Sequence, residues 1–246
     1  MNFEETITSE INQSFIKKII KCQSFIRGHL LRKKRLPNAL YSIQNYLKKN
    51  TINMCKATDD GRINSCMDED EIIKILLETY SNRIFKPKAR MWYDILVKDF
   101  QYGMLPVNIK STTTLTSDNT GNLAMCVHAY TNQELHLYES YQNGQMSKIL
   151  IEKLNQKEFN LQSKKDYYFI VVNKTNCDDI IVNSVKGLVD LTPNINNLPF
   201  QVMWNKNRNF TYQKIEKNIK QLLDAFQKPK PSWKETFMNN IRTIQM

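Results

Sequence analysis

An α/β fold, with a mixed β-sheet core flanked by helices and preceded by a basic helical arm, is predicted by three features of this sequence. Apolar, β-prone runs at residues 91–97, 105–109, 166–172 and 180–185 alternate with stretches whose apolar residues recur every three or four positions, the order of an α/β domain. The length, 246 residues, suffices for one sizeable domain with an added arm. Finally, the first 35 residues carry a single apolar stripe opposite a basic face.

That stripe is Ile11, Phe15, Ile19, Cys22, Ile26 and Leu30, and it predicts an amphipathic helix over 9–35. Ser9 caps its start, the basic cluster at 32–35 suits the negative end of the helix dipole, and Pro37 marks the stop. Leu40, Ile43, Tyr46 and Leu47 predict a second helix over 38–49, and the polar stretch 50–60 reads as the boundary between an arm (1–60) and a core domain (61–246). The acids at 68–71 open a third helix, where negative charge suits the N-terminal end, and Ile72, Ile73, Leu76, Leu77 and Tyr80 form its buried face.

Residues 90–114 read as a hairpin: two β-prone runs, 91–97 and 105–109, joined by a turn over 99–103. The Ser-, Thr- and Asn-rich segment 111–122 reads as a loop able to pass near phosphates. Helices follow at 123–130 and 146–154, a buried strand at 166–172, and two more strands at 180–185 and 188–191. Ile215, Ile219, Leu222, Leu223 and Phe226 make an amphipathic helix of 211–226, the Pro-containing stretch 228–232 breaks it, and 233–244 closes the fold.

Composition narrows the partners. Lys and Arg exceed Asp and Glu by 35 to 24, a formal charge of +11, which favours a polyanion, nucleic acid by default, against the plainer reading of a basic protein that is simply well solvated. The five cysteines form no CxxC pair, and their odd number argues for a reducing compartment rather than a disulfide framework. His29, His128 and His136 show no metal-ligand spacing with them. No apolar run approaches the roughly 20 residues of a membrane helix, so a soluble, intracellular protein with no membrane association is expected.

The chemistry concentrates in the hairpin. Asp94 lies inside an otherwise apolar run, and an acid there costs several kcal/mol unless it is partnered. Asn108 and Lys110 are two apart and share a strand face, so with Asp94 they converge at one end of the sheet. Mg²⁺ between the acid and the amide oxygen, beside an ammonium that orients or deprotonates water, is one reading. A hydrogen-bonded Asp beside a lysine that reaches for solvent is the other.

Asp94 followed by Asn108-Ile109-Lys110 resembles the PD-(D/E)xK nuclease superfamily, and within it the type II restriction endonucleases. The resemblance extends over about residues 68–245. Tyr93 stands where the family has proline, and Asn108 where it has a second acid. The resemblance implies a restriction-endonuclease-like core that cuts double-stranded DNA with Mg²⁺. Asp94 and Asn108 would hold the ion, Lys110 would position or activate water, and a glutamate on the preceding helix, Glu78 in preference to Glu71, would add a contact. A homodimer is expected by the same analogy. Residues 198–214 mix amides and aromatics with Lys206, Arg208 and Lys214, side chains able to contact bases and phosphates, and their Asn-Leu-Pro-Phe-Gln and Trp-Asn-Lys-Asn-Arg wording is similar to the ends of some restriction enzymes. A catalytically inactive DNA-binding protein on the same fold is the alternative, since Asn108 brings no charge.

Gln23, Arg27, Gly28 and Arg32 stand at the spacing of an IQ motif, with Cys22 in place of the preceding aliphatic residue. That resemblance implies that residues 19–35 bind a calmodulin-like EF-hand protein through apolar anchors and a basic face. A helix that packs on its own domain, or a basic arm that touches DNA, fits the same residues.

Overall fold

The computed structural model describes residues 18–23, 36–50, 52–54, 59–162, 164–194, 199–226 and 235–244. It separates into two compact units, 1–35 and 36–246. In the first, Lys18 to Gln23 are helical and exposed; the rest of the helix expected over 9–35 lies outside the described residues.

The second unit is a mixed α/β fold. Helix α1 (Asn38–Lys49) starts after Pro37, whose fixed φ suits a helix start, and buries Leu40, Ile43 and Leu47. It lies against the sheet, so a helix that the sequence grouped with the arm contributes to the core. Helix α2 (Gly61–Thr79) is capped by Asp60, whose side chain accepts the Arg62 N–H at 2.8 Å. The acids at 68–71 therefore sit in the middle of this helix and not at its start, a correction to the dipole reading.

The strands β1 (Ile84–Phe85), β2 (Ile95–Asp99) and β3 (Gly103–Thr112) form an antiparallel meander. The β2–β3 turn is set by Gly103 in the left-handed region (φ 78°) and by the buried Asp99. One Asp99 oxygen accepts from the Gln101 and Tyr102 amides, and the other accepts from Ala39 at the start of α1. After β4 (Ser117–Asn119), α3 (Leu123–Tyr130) and α4 (Asn143–Asn155), the chain returns as β5 (Tyr168–Asn173), parallel to β3, and β6 (Ile180–Ser184) pairs antiparallel with β5. The sheet order is β1-β2-β3-β5-β6. A second, two-stranded sheet joins β4 to β7 (Gln201–Met203), and helices α5 (Ile215–Phe226) and α6 (Glu235–Arg242) end the fold.

Strand alternation divides the core into two layers. Ile95, Val97, Val107, Ile109, Tyr168 and Ile170 face α1 and α2, where Leu40, Ile43, Ile72 and Leu76 meet them. Leu96, Phe169, Val171 and Ile181 face the opposite layer, with α3, α4 and α5. All eight residues of α3 are buried, as expected of a short crossover helix enclosed on every side.

Four local expectations change. The first hairpin strand begins at Ile95, although the Asp94 N–H still reaches Val107 O at 3.0 Å. The stretch 111–122 is not wholly loop, since β3 continues into it and β4 pairs with β7. No strand forms at 188–191, because the Val189 and Asp190 amides are taken by the side-chain oxygen of Asn207. Helix α5 starts at Ile215 rather than 211. No described helix is long and apolar enough to cross a membrane.

Candidate active site

Asp94, Asn108 and Lys110 do converge. The β2–β3 register pairs Ile95 with Val107, which sets Asp94 across from Asn108 at the end of the sheet opposite the Asp99 turn. One Asp94 oxygen accepts the Ile109 N–H at 2.7 Å. Burial raises the Asp94 carboxyl above the usual range, against the opposing pull of that N–H and of Lys110.

Lys110 projects from the same face, two residues beyond Asn108. Its ammonium lies 3.8 Å from Glu69 on α2, with the two side chains 19% and 24% exposed. Burial presses Lys110 towards the neutral amine, but Glu69, Asp118 and Asp94 outweigh it and hold the ammonium above its ordinary value. Burial also drives the Glu69 carboxyl up to about 7, even with Lys110 beside it. Among the described residues Lys110 has an ion-pair partner but no hydrogen-bond acceptor within range, so none of its three donors is committed to them.

Asn108 is the least satisfied member. Only 8% of it is exposed, and its side-chain oxygen has no hydrogen-bond partner, a condition that costs about 1–3 kcal/mol where nothing fills it. An oxygen-only donor set of Asp94, Glu69 and the Asn108 amide suits a hard cation such as Mg²⁺ or Mn²⁺. Among the described residues no three His, Cys, Asp or Glu side chains gather as a ready ligand cluster, so a cation here would use two carboxylates, the amide oxygen and water.

Helix α2 supplies Glu69 and not Glu78. Glu78 is exposed near the helix C-terminus, nine residues or about 13 Å along the axis from Glu69. The signal for Glu69 is its place four residues before buried Ile73, on the side of the helix that meets the sheet. Its neighbour Asp68 is buried and accepts a hydrogen bond from the Ser111 hydroxyl at 2.9 Å, while the Ser111 amide donates to Glu69 at 3.3 Å. These bonds tie α2 to the end of β3, directly beside Lys110.

Of the three basic side chains expected to meet nucleic acid, two are already paired. Lys206 lies 3.2 Å from Asp190, and Arg208 makes a two-pronged contact with Asp179 at 2.7 and 2.6 Å. Lys214 is exposed just before α5. Of the arm residues, Gln23 is exposed; Arg27, Gly28 and Arg32 lie outside the described residues.

Comparison with known proteins bears on the arm. Residues 16–34 match the IQ calmodulin-binding motif. The matched stretch holds seven Lys and Arg and no Asp or Glu. No curated protein matches the chain, and no solved structure does.

Proposed function

We propose that residues 36–246 form a Mg²⁺-dependent endonuclease that hydrolyses phosphodiester bonds of double-stranded DNA, related to the PD-(D/E)xK nucleases. The observation that carries this reading is one corner of the sheet. A helix, a three-stranded meander, a helical crossover and a strand parallel to the third bring Glu69, Asp94, Asn108 and Lys110 together there.

In this reading Asp94, Glu69 and the Asn108 oxygen would hold the ion. When bound, it lowers the pKa of a coordinated water and offsets charge at the phosphate. Lys110, kept charged by the acids around it, donates hydrogen bonds and does not accept a proton. It therefore orients the attacking water and binds a phosphate oxygen, rather than acting as a base. Lys214 fits a phosphate contact, and Arg208 would exchange Asp179 for a phosphate to make one. A homodimer, one site for each strand, belongs to the same reading.

The test is cleavage of mixed-sequence duplex DNA with Mg²⁺, Mn²⁺ or EDTA. Metal-dependent fragments that disappear in Asp94→Ala, Lys110→Ala and Glu69→Gln but persist in Glu78→Gln are expected. DNA that is bound but never cut, with all four variants alike, would leave the inactive DNA-binding alternative.

The IQ match favours a second reading for the arm: residues 16–34 bind a calmodulin-like EF-hand protein. Its basic, apolar-striped sequence complements an acidic partner with apolar pockets. Calmodulin binding to the full chain, with and without Ca²⁺, should be lost in the Gln23→Ala, Arg27→Ala double variant. Equal binding by that variant would end this reading.

A further inference from the structure

Strand β3 runs from Lys110 straight into a turn, residues 113–116, whose backbone is held in a strained shape. Thr114 is buried, yet its φ of 55° lies in the left-handed region, a conformation that a β-branched residue rarely adopts and that persists only where the surroundings enforce it. Three contacts enforce it here. The Leu115 N–H donates to Thr113 O at 2.6 Å, the Asn205 N–H donates to Thr114 O at 3.0 Å, and the Thr113 and Thr116 hydroxyls lie 2.9 Å apart. What the turn presents is Leu115, 67% exposed. A lone exposed leucine is ordinary; one held out by a strained, cross-braced turn is not explained by packing.

The contact that braces the turn also sets two cations beside it. The side-chain oxygen of Asn205 accepts from Arg208 Nε at 2.9 Å, and Lys206, with its side chain half exposed, is the next residue along. Each cation is paired with an acid, Asp179 or Asp190, whose place a phosphate can take. On the other side, Lys110 is five residues from Leu115, which the chain spans in no more than about 17 Å, or about five base steps of a duplex. An apolar tip between cations, within reach of the candidate site, complements stacked bases between phosphates.

Resting on the nuclease reading above, we propose that Leu115 is a wedge that enters the DNA between two base pairs near the phosphodiester under attack, while Lys206 and Arg208 bind phosphates beside the opened step. An apolar side chain inserted in this way unstacks the step, and unwinds and kinks the duplex, at a cost offset by the extra protein surface that bent DNA meets. A loose loop would fold back on meeting stacked bases; the braced turn keeps the leucine extended. Leu115 thus positions the substrate and takes no part in bond breaking.

The experiment is relaxation of closed-circular plasmid by a metal-independent topoisomerase with the full-length protein bound, in EDTA and separately in Ca²⁺, for wild type, Leu115→Ala and Leu115→Met, with duplex affinity and thermal unfolding in parallel. Wild type should lower the linking number in proportion to protein bound. Leu115→Ala should unfold like wild type, since the side chain stands in solvent, bind duplex about ten-fold more weakly and leave the linking number unchanged even when its concentration is raised to equal occupancy. Leu115→Met keeps an apolar side chain of similar reach and should keep the shift. The same shift per bound protein in Leu115→Ala, or no shift by wild type that binds, overturns the wedge alone, and the cleavage test above still decides the nuclease reading. If wild type binds no DNA under either condition, the nuclease reading falls with it.

Discussion

Lys110 and Lys186 both lie in partly or fully enclosed positions near acids, and the fold treats them in opposite ways. Lys186, 8% exposed in the turn after β6, spends all three donors on backbone carbonyls: Asn160 O at 3.2 Å, Gln162 O and Lys165 O at 2.9 Å. Burial lowers its pKa to about 8 and raises that of its neighbour Asp166 to about 6. Lys110 faces carboxylates but has no acceptor within hydrogen-bond range among the described residues. A lysine with every donor committed closes a loop; one held charged with donors uncommitted would, in the nuclease reading proposed above, have a phosphate oxygen and a water to bind.

The largest effect that could break this contrast is on stability at Lys186. Lys186→Met would strip the Asn160 and Gln162 carbonyls of the ammonium, leave Lys165 O with only its Asn160 Nδ2 donor, and remove the cation that pulls Asp166 down. A loss of about 3–5 kcal/mol is expected in urea unfolding at neutral pH. A loss below about 1 kcal/mol would mean that water replaces the ammonium and that the two lysines are not different in kind.

His128 sharpens the same comparison through pH. It packs on Trp92 with ring centroids 5.1 Å apart, and burial, with Lys165 and Lys186 adding to it, drives its pKa down to about 3. A folded pKa below the unfolded value of about 6.5 gives stability that is present above about pH 6.5 and lost as pH falls towards about 3. Asp166, raised by burial, opposes part of this slope, so the wild-type curve alone does not isolate the imidazole. The difference between wild type and His128→Phe does: it should shift by about 2 kcal/mol in favour of the variant between about pH 7.5 and about pH 5. An unchanged difference would show that His128 titrates normally.

A smaller effect is expected at Arg208, whose pair with Asp179 lies nearer the surface, with side chains 40% and 18% exposed. Arg208→Ala should cost less than about 1 kcal/mol and respond to salt. If the 198–214 segment meets DNA, the same variant also weakens duplex binding uniformly across sequences and reduces the salt slope by about one. Unaltered DNA affinity would restrict Arg208 to its role with Asp179.

These sites differ in how far the sequence displays them. Asp94, Asn108 and Lys110 are legible because strand alternation fixes which side chains share a face, and the hairpin register follows from the turn that Asp99 and Gly103 impose. Glu69 is not, because residues 61–67 place Ile63 and Met67 in solvent and show no apolar period. Sequence pattern therefore draws the helix start seven residues late, and the acids of its middle pass for its beginning. Glu78 is nearer to Asp94 in sequence, but it is exposed near the C-terminal end of the helix. The pairing of β4 with β7 joins three-residue strands more than eighty positions apart, too short for any periodic signal, and the contact of Asn205 with the Thr114 turn beside it is out of view with it.

The smallest stability effect belongs to Lys110, and there the comparison is most exposed to failure. Removing one partner of an enclosed ion pair usually costs several kcal/mol, because the other charge is left unpaired. Here the partners can escape that cost. Glu69 is already at about 7, so it can take a proton near neutrality and become neutral where it stands, and Asp94, raised by burial, keeps the Ile109 N–H as a partner. Among the described residues no carbonyl depends on Lys110. Lys110→Met should therefore change unfolding stability by less than about 1 kcal/mol while abolishing metal-dependent cleavage, the reverse of Lys186→Met, whose surviving folded fraction should retain it. A Lys110→Met protein that unfolds as readily as Lys186→Met would make Lys110 a second structural lysine and remove the physical basis for a site at this corner.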